Sequence, residues 1–155
     1  DCLLSRGLGD VYKRQIAVAV KALIPRARVI GVSMENGAAM AASLAAGHPV
    51  EVIETASLAD SLGGGIGADN RVTFPLCRAL LDGVILVSEA EIAAALRHLA
   101  AAGHVVEGAA AVGHAAILSG RFRPEGPTVT ILSGGNIDPG LHARIVAGAN
   151  SVEAA

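Results

Sequence analysis

The sequence is poor in aromatic and charged residues, and it contains no tryptophan. Aromatic side chains make up 2% of its 155 residues and charged side chains 17%, whereas 52% of the residues are hydrophobic. With so few large rings to fill space, a core made from this chain has to pack small aliphatic side chains against one another. The length suits a single domain.

Excess positive charge and long apolar runs are also missing. The 12 Lys and Arg residues and 14 Asp and Glu residues give a formal net charge of -2. A basic surface for nucleic acid is therefore not expected. Charged or polar residues interrupt every apolar run before it reaches the ~18 residues of a membrane span. We expect neither a nucleic acid nor a membrane as a partner.

Cysteine is rare as well. Cys2 and Cys77 are the two cysteines, and they show no metal or redox spacing. This favours a reducing, cytoplasmic setting. The 5 histidines show no metal-ligand spacing either, so we expect them on the surface or satisfied in the core.

The N-terminal segment does not match the rest of the chain. Asp10-Val-Tyr-Lys-Arg-Gln15 resembles the translated end of an adapter used in sequencing libraries, so we interpret Asp1–Gln15 as a non-native scar. A signal peptide is the alternative, but the segment lacks the apolar stretch and the cleavage site that one needs. On this interpretation, residues 16–155 are the C-terminal part of a longer protein.

Extended and helical patterns alternate downstream of Ile16. Arg28–Ser33 and Val84–Val87 have the β-branched, apolar character of strands, and Ser88 with Glu91 predicts a capping box. The predicted helices are Ile16–Leu23, Gly37–Ala46, Thr73–Leu81, Glu89–Ala102, Gly108–Leu118 and Pro139–Val146. This alternation predicts an α/β fold with an open, mostly parallel, doubly wound sheet.

A short apolar run near the C-terminus ends at a serine. Val129, Ile131 and Leu132 are typical of a buried strand, and the run stops at Ser133. In open α/β sheets, ligands bind just beyond the carboxyl ends of the strands. Ser133 therefore stands where a small molecule would bind.

Two glycines and a helix start follow this serine. Gly134 and Gly135 free the backbone to turn tightly or to approach a ligand closely. Asp138 and Pro139 predict the start of the next helix. An ordinary strand-turn-helix connection explains these residues equally well.

Six segments, taken in order, resemble the threonine/serine dehydratase family. They are Val29-Ile-Gly-Val32, Ala59-Asp-Ser-Leu62, Thr73-Phe-Pro75, Val87-Ser-Glu89, Val106-Glu-Gly108 and Leu132-Ser-Gly-Gly-Asn-Ile-Asp138. The glycine-rich segment Ala59–Arg71 is most similar to the hydroxyectoine-utilisation branch of that family. The resemblance implies a tryptophan-synthase-β-like enzyme of fold type II that uses pyridoxal 5'-phosphate, acts on an amino acid and forms a homo-oligomer.

The resemblance also implies a reaction and its residues. Family members remove water and then ammonia, by β-elimination, from L-threonine, L-serine or a hydroxyectoine-derived substrate. The serine matching Ser133 faces the pyridine nitrogen, and Gly134 and Glu107 match residues near the cofactor. A neutral hydroxyl at Ser133 does not hold a proton on that nitrogen. The ring is then a weaker electron sink, which favours prompt loss of the β-hydroxyl group.

A glycine-rich loop is expected on the substrate side. Its glycines can direct backbone N–H groups at a substrate carboxylate. They are Gly63, Gly64, Gly65 and Gly67. A flexible surface loop is the alternative. Arg71 is also open to two interpretations, a bidentate contact with a carboxylate or an ordinary ion pair.

The chain departs from the family in two respects. Some members bind a divalent cation through acidic residues that match Ser33 and Ala39, which are not strong ligands for hard cations, so we expect no metal there. The family's Schiff-base lysine and phosphate-binding loop precede Ile16. The two lysines of the chain are Lys13, in the scar, and Lys21, which we expect in solvent. The chain as it stands is therefore expected to be inactive.

Two other functions stay open. A serine or aspartate racemase on the same scaffold would reprotonate the α-carbon instead of eliminating the β-substituent. A non-catalytic amino-acid-binding module would gain support if the complete gene also lacked the lysine.

Overall fold

The structure, a computed structural model, describes residues 15–152, so the first 14 residues of the interpreted scar lie outside the described part. Residues 15–23 are helical and form α1. The other elements are β1 (Ile30–Met34), α2 (Ala39–Ala46), a 3-10 turn (Asp60–Leu62), α3 (Thr73–Leu80), β2 (Gly83–Val87), α4 (Glu89–Ala101), α5 (Gly108–Leu118) and α6 (Pro139–Val146). Every predicted helix is present, close to its predicted bounds.

The two strands β1 and β2 pair with each other, and the strands of the fold run parallel. Backbone hydrogen bonds continue the pairing beyond the strand ends. The N–H of Asp82 donates to the carbonyl oxygen of Val29, and that of Glu35 to the carbonyl oxygen of Val87, each at 2.9 Å. The α/β class expected from the alternation of patterns is confirmed. Within residues 15–152, no helix is long and apolar enough to cross a membrane.

The chain divides into two compact units. The first holds residues 15–31, Gly37–Glu54 and Ser61–Val84. The second holds Val32–Asn36, Thr55–Asp60 and residues 85–152. Helix α2 packs against α3 in the first unit, and α4 packs against α5 and α6 in the second.

Small aliphatic residues form the core of the second unit. The buried residues of α5 are Gly108, Ala109, Ala110, Ala111, Val112, Ala115 and Ala116. Those of α4 are Ile92, Ala93, Ala95, Leu96 and Leu99. Small side chains let two helices approach closely, so the low aromatic content is compatible with a packed core.

The start of α4 carries the predicted capping box. The N–H of Glu91 donates to Ser88 Oγ at 3.3 Å, and the N–H of Ser88 donates to Glu91 Oε2 at 2.7 Å. These bonds satisfy two backbone donors that the first turn of a helix leaves without partners. The direction in which α4 leaves β2 is therefore fixed by side chains adjacent to the strand.

The predicted strand after Pro127 is wrong for the described chain. Residues 128–132 form no strand within residues 15–152, and Val129, Ile131 and Leu132 are 87%, 53% and 38% exposed. A strand needs a hydrogen-bonded neighbour to cover its polar backbone. The described residues supply such a neighbour for β1 and β2 but not for this segment. Its apolar side chains therefore lie on the surface.

Lys21 forms an ion pair instead of pointing freely into solvent. Its ammonium group donates to Asp82 Oδ2 at 2.6 Å and to the carbonyl oxygen of Ala27 at 2.9 Å. Asp82 Oδ2 also accepts the N–H of Val29 at 2.6 Å. These hydrogen bonds, that from Lys21 first, lower the pKa of Asp82. Lys21 thus ties α1 to the start of the sheet, a structural role.

Two histidines meet where α4 and α5 pack together. His114 Nε2 lies 3.0 Å from His98 Nδ1, and the ring centroids are 4.9 Å apart. Burial, followed by repulsion from His98, lowers the pKa of His114. No spacing in the chain points to this pair, because the histidines lie on different helices.

Acid is therefore expected to destabilise the chain through His114. Its pKa is lower in the folded state than in the unfolded state, where it is about 6.5. The unfolded state thus binds more protons as the pH falls below about 6.5. The urea midpoint should fall across that window, and His114→Gln should flatten the fall. His48→Gln, at an exposed histidine, is the control; identical pH profiles for the unaltered chain and His114→Gln would contradict this expectation.

Candidate functional site

Glu107 and the glycine after Ser133 meet in the second unit. The N–H of Glu107, the residue that precedes α5, donates to the carbonyl oxygen of Gly134 at 3.0 Å. The Glu107 carboxyl group lies against the α-carbon of Gly134, so that a β-carbon at this position would overlap it. The structure thus brings together all three residues that the family resemblance implies lie near the cofactor, since Ser133 directly precedes Gly134.

Three polar side chains on these segments have no partner within residues 15–152. Ser133 is exposed and Glu107 is partly buried. Within residues 15–152, no hydrogen bond or ion pair engages the Ser133 hydroxyl, the Glu107 carboxylate or the Asn136 amide. A hydroxyl, a carboxylate and an amide left open on adjoining segments form a donor and acceptor set suited to a polar small molecule.

A cavity of about 250 Å³ adjoins Glu107 in the same unit. Its lining includes Glu107 and Gly108 at the start of α5, residues 136–138 before α6, and residues 56–58. A β-carbon on Gly108 would overlap the carbonyl group of Leu58. The glycine therefore lets the start of α5 pack directly on the backbone that forms the opposite wall.

Glu89, at the first position of α4, accepts hydrogen bonds from two residues of that wall. Its Oε1 accepts the hydroxyl of Ser57 at 2.5 Å, and its Oε2 accepts the N–H of Leu58 at 2.7 Å. The N–H of Ala59 donates to Ser57 Oγ at 3.0 Å. Ser57 is buried, so the carboxylate satisfies polar groups that would otherwise lose hydration. The sequence predicts no role for Glu89 at the cavity, because the helix dipole alone explains a carboxylate in the first turn of a helix.

The glycine-rich loop lies in the first unit, and two of its glycines have positive φ values. Gly64 has φ 103° and Gly67 has φ 79°, values that favour glycine. The N–H of Gly65 donates to Glu54 Oε1 at 3.1 Å. A carboxylate thus already binds a backbone N–H of this loop, which is the chemistry expected for the carboxylate of a substrate.

Arg71 forms a local ion pair. Its Nε donates to Asp69 Oδ1 at 2.6 Å, and both side chains are exposed. Asn70, between them, accepts the N–H of Phe74, in the first turn of α3, at 2.9 Å. Of the two interpretations of Arg71, the structure shows the ion pair.

The positions matched to a divalent-cation site carry other contacts. The hydroxyl of Ser33 donates to the sulfur of Met34 at 3.6 Å, and Ala39 begins α2. Glu35, the acidic residue near them, pairs with Arg121. No group of three or more potential metal ligands occurs within residues 15–152. That no metal binds here stays a prediction.

Known proteins identify the family to which this chain belongs. Residues 16–134 match the family described as pyridoxal-phosphate dependent enzyme, and the chain belongs to that family. A Sinorhizobium fredii protein provisionally named a threonine dehydratase is 59% identical over 137 residues, which cover 86% of this chain and 41% of that protein. The catabolic L-threonine dehydratase of Escherichia coli is 42% identical over 127 residues, 79% of this chain and 38% of that enzyme.

Solved structures agree with this family. A threonine deaminase from tomato, Solanum lycopersicum, is 28% identical and superimposes with a TM-score of 0.76 over 87% of this chain and 38% of that one. Maize serine racemase is 30% identical, with a TM-score of 0.72 over 84% of this chain and 41% of that one. The fold type II expected from the resemblance is confirmed. The chain spans less than half the length of each of these relatives.

Proposed function

We propose that this chain is the C-terminal part of a pyridoxal-phosphate-dependent lyase that removes water and ammonia from a β-hydroxy amino acid. The observation that carries the proposal is the meeting of Glu107 with Gly134, beside a Ser133 hydroxyl that no described residue engages. Two of the relatives are named for threonine dehydration. L-threonine and L-serine are accordingly the first substrates to test.

The residues present fit the ring end of the cofactor. Gly134 has no β-carbon, which leaves room for the Glu107 carboxyl group, and Ser133 has a free hydroxyl for a ring nitrogen. When bound, pyridoxal phosphate supplies an electron sink for negative charge at the substrate α-carbon. Ser133 offers the ring nitrogen a neutral group and so does not hold a proton there.

The glycine-rich loop would bind the carboxylate of the substrate through its backbone N–H groups. The support is the N–H of Gly65, which already donates to a carboxylate, that of Glu54. Gly64 and Gly67, with positive φ values, keep the loop in this conformation. Arg71 would not contribute, because it pairs with Asp69.

The test is product analysis with the complete protein, including the segment that we expect to carry the Schiff-base lysine. L-threonine, L-serine and hydroxyectoine-derived substrates are supplied with pyridoxal phosphate. We expect a 2-oxo acid and ammonia, together with the absorbance of the bound cofactor. A protein that binds no cofactor, or that binds it and yields neither product, would contradict the proposal.

A racemase is the second candidate, and the likeness to maize serine racemase is the observation that favours it. The same assay separates the two, because a racemase yields the D-amino acid without net ammonia. A complete protein that lacks the lysine but binds amino acids would instead be a binding module. The hydroxyectoine branch, a cytoplasmic location and a homo-oligomer stay predictions.

A further inference from the structure

Arg121, in the second unit, lies between two carboxylates that follow neighbouring strands. Its Nη2 donates to Glu35 Oε1 at 2.8 Å, and its Nε donates to Glu91 Oε1 and Oε2 at 2.7 and 2.9 Å. Glu35 directly follows β1, and Glu91 lies in the first turn of α4, which follows β2. One guanidinium group therefore connects the chain segments that leave both strands.

The three charges are only partly shielded from solvent. The side chains of Arg121 and Glu35 are each 41% exposed and that of Glu91 is 21% exposed. Burial opposes the ionisation of Glu91, but hydrogen bonds from Arg121 and Ser88 outweigh it and lower its pKa. A single exposed ion pair contributes little to stability. A shared guanidinium acts more through geometry, because it fixes the separation of the groups it joins.

From Glu91 the contacts continue to the cavity wall. Glu91 Oε2 accepts the N–H of Ser88 at 2.7 Å and its hydroxyl at 3.0 Å. The next residue, Glu89, holds Ser57 and Leu58 at 2.5 and 2.7 Å. The first turn of α4 thus contacts Arg121 through one carboxylate and the wall of the cavity through another.

We propose that Arg121 is a positioning residue for the cavity wall, acting through Glu91 and the first turn of α4. Its guanidinium holds that turn to the segment after β1, and Glu89 in the same turn holds Ser57 and Leu58. That the cavity is a ligand-binding site rests on the proposed function. The connection from Arg121 to the cavity wall rests only on the hydrogen bonds described above.

Hydrogen exchange of the whole chain tests the link without cofactor or activity. The reporters are the amides of Leu58 and Ala59, and the reference is the amide of Leu141, which donates to Asp138 in the same unit. We expect Arg121→Met to speed exchange of the two reporters about fivefold and to leave the reference unchanged. Arg121→Lys, which keeps the charge, should restore much of the protection.

Arg123→Met is the matched control, because Arg123 lies in the same loop and forms no ion pair within residues 15–152. Unchanged reporters in Arg121→Met, or equal exchange in Arg121→Met and Arg121→Lys, would overturn the proposal. If Arg121→Met does not fold, Glu91→Gln breaks the same link and must give the same pattern of exchange. An inactive complete protein whose wall still responds to these variants would count against the proposed function alone.

Discussion

Gly108→Ala is expected to lower the free energy of unfolding by about 3 kcal/mol or more. The added β-carbon overlaps the carbonyl group of Leu58, which is backbone and has no alternative rotamer. That carbonyl cannot retreat easily, since the N–H of Leu58 is held by Glu89 at 2.7 Å. Urea unfolding of the whole chain, followed by circular dichroism, measures the loss.

Gly113→Ala is the control for this result, because Gly113 lies in the same helix. Its β-carbon would meet the β-carbon of Thr130 at 3.5 Å, an ordinary contact. Alanine favours a helix interior over glycine by about 1 kcal/mol, so this variant should be slightly more stable. Losses of equal size in both variants would show that the contact with Leu58 is not the cause.

Ser133→Asp, in the complete protein, is expected to raise transamination and racemisation relative to elimination by roughly tenfold. On the proposed function, a carboxylate here would hold a proton on the ring nitrogen, whereas the neutral hydroxyl of Ser133 would not. Charge-assisted hydrogen bonds contribute about 1.5–3 kcal/mol, and about 1.4 kcal/mol corresponds to tenfold in rate. The ratio of ammonia to D-amino acid and transaminated cofactor provides the measurement, because only elimination releases ammonia.

Ser133→Thr keeps a neutral hydroxyl group and provides the control. Its product ratio should stay close to that of the unaltered protein even if its rate falls. If Ser133→Asp leaves the ratio unchanged while the cofactor is bound, Ser133 does not have the role proposed for it. A loss of cofactor binding in Ser133→Thr would point instead to a steric limit at this residue.

Local signals predicted the helices well. Ser88 and Glu91 form a capping box that involves residues three apart, and the structure shows it. The side chain of Asp138 accepts the N–H of Leu141 at 2.8 Å and caps α6, with Pro139 in the first position. Such short-range contacts can be read from sequence because both partners lie in one turn of the chain.

Long-range contacts could not be read in the same way. Glu89 reaches Ser57 and Leu58, about thirty residues earlier in the chain, and nothing in either segment specifies the other. Arg121 likewise had no apparent partner in the sequence. The meeting of Glu107 with Gly134 was expected only through the family resemblance, since the spacing of the two residues does not imply it.

The apolar run at residues 128–132 shows that a residue pattern alone does not determine where a strand forms. Its alternation of Val129 and Ile131 with threonines predicts a strand, but a strand also depends on neighbours that the pattern does not name. The described chain offers this segment none, and the side chains are exposed.

The exposure of residues 128–132 is also expected to affect the solubility of the chain. Residues 128–132 are uncharged, rich in β-branched side chains and uninterrupted by proline, a composition that favours fibril formation between copies. Pro127 on one side and Gly134-Gly135 on the other limit how far such stacking can spread. We therefore expect these few residues beside Ser133 to lower the solubility of the chain at high concentration, and Val129→Lys to reduce aggregation.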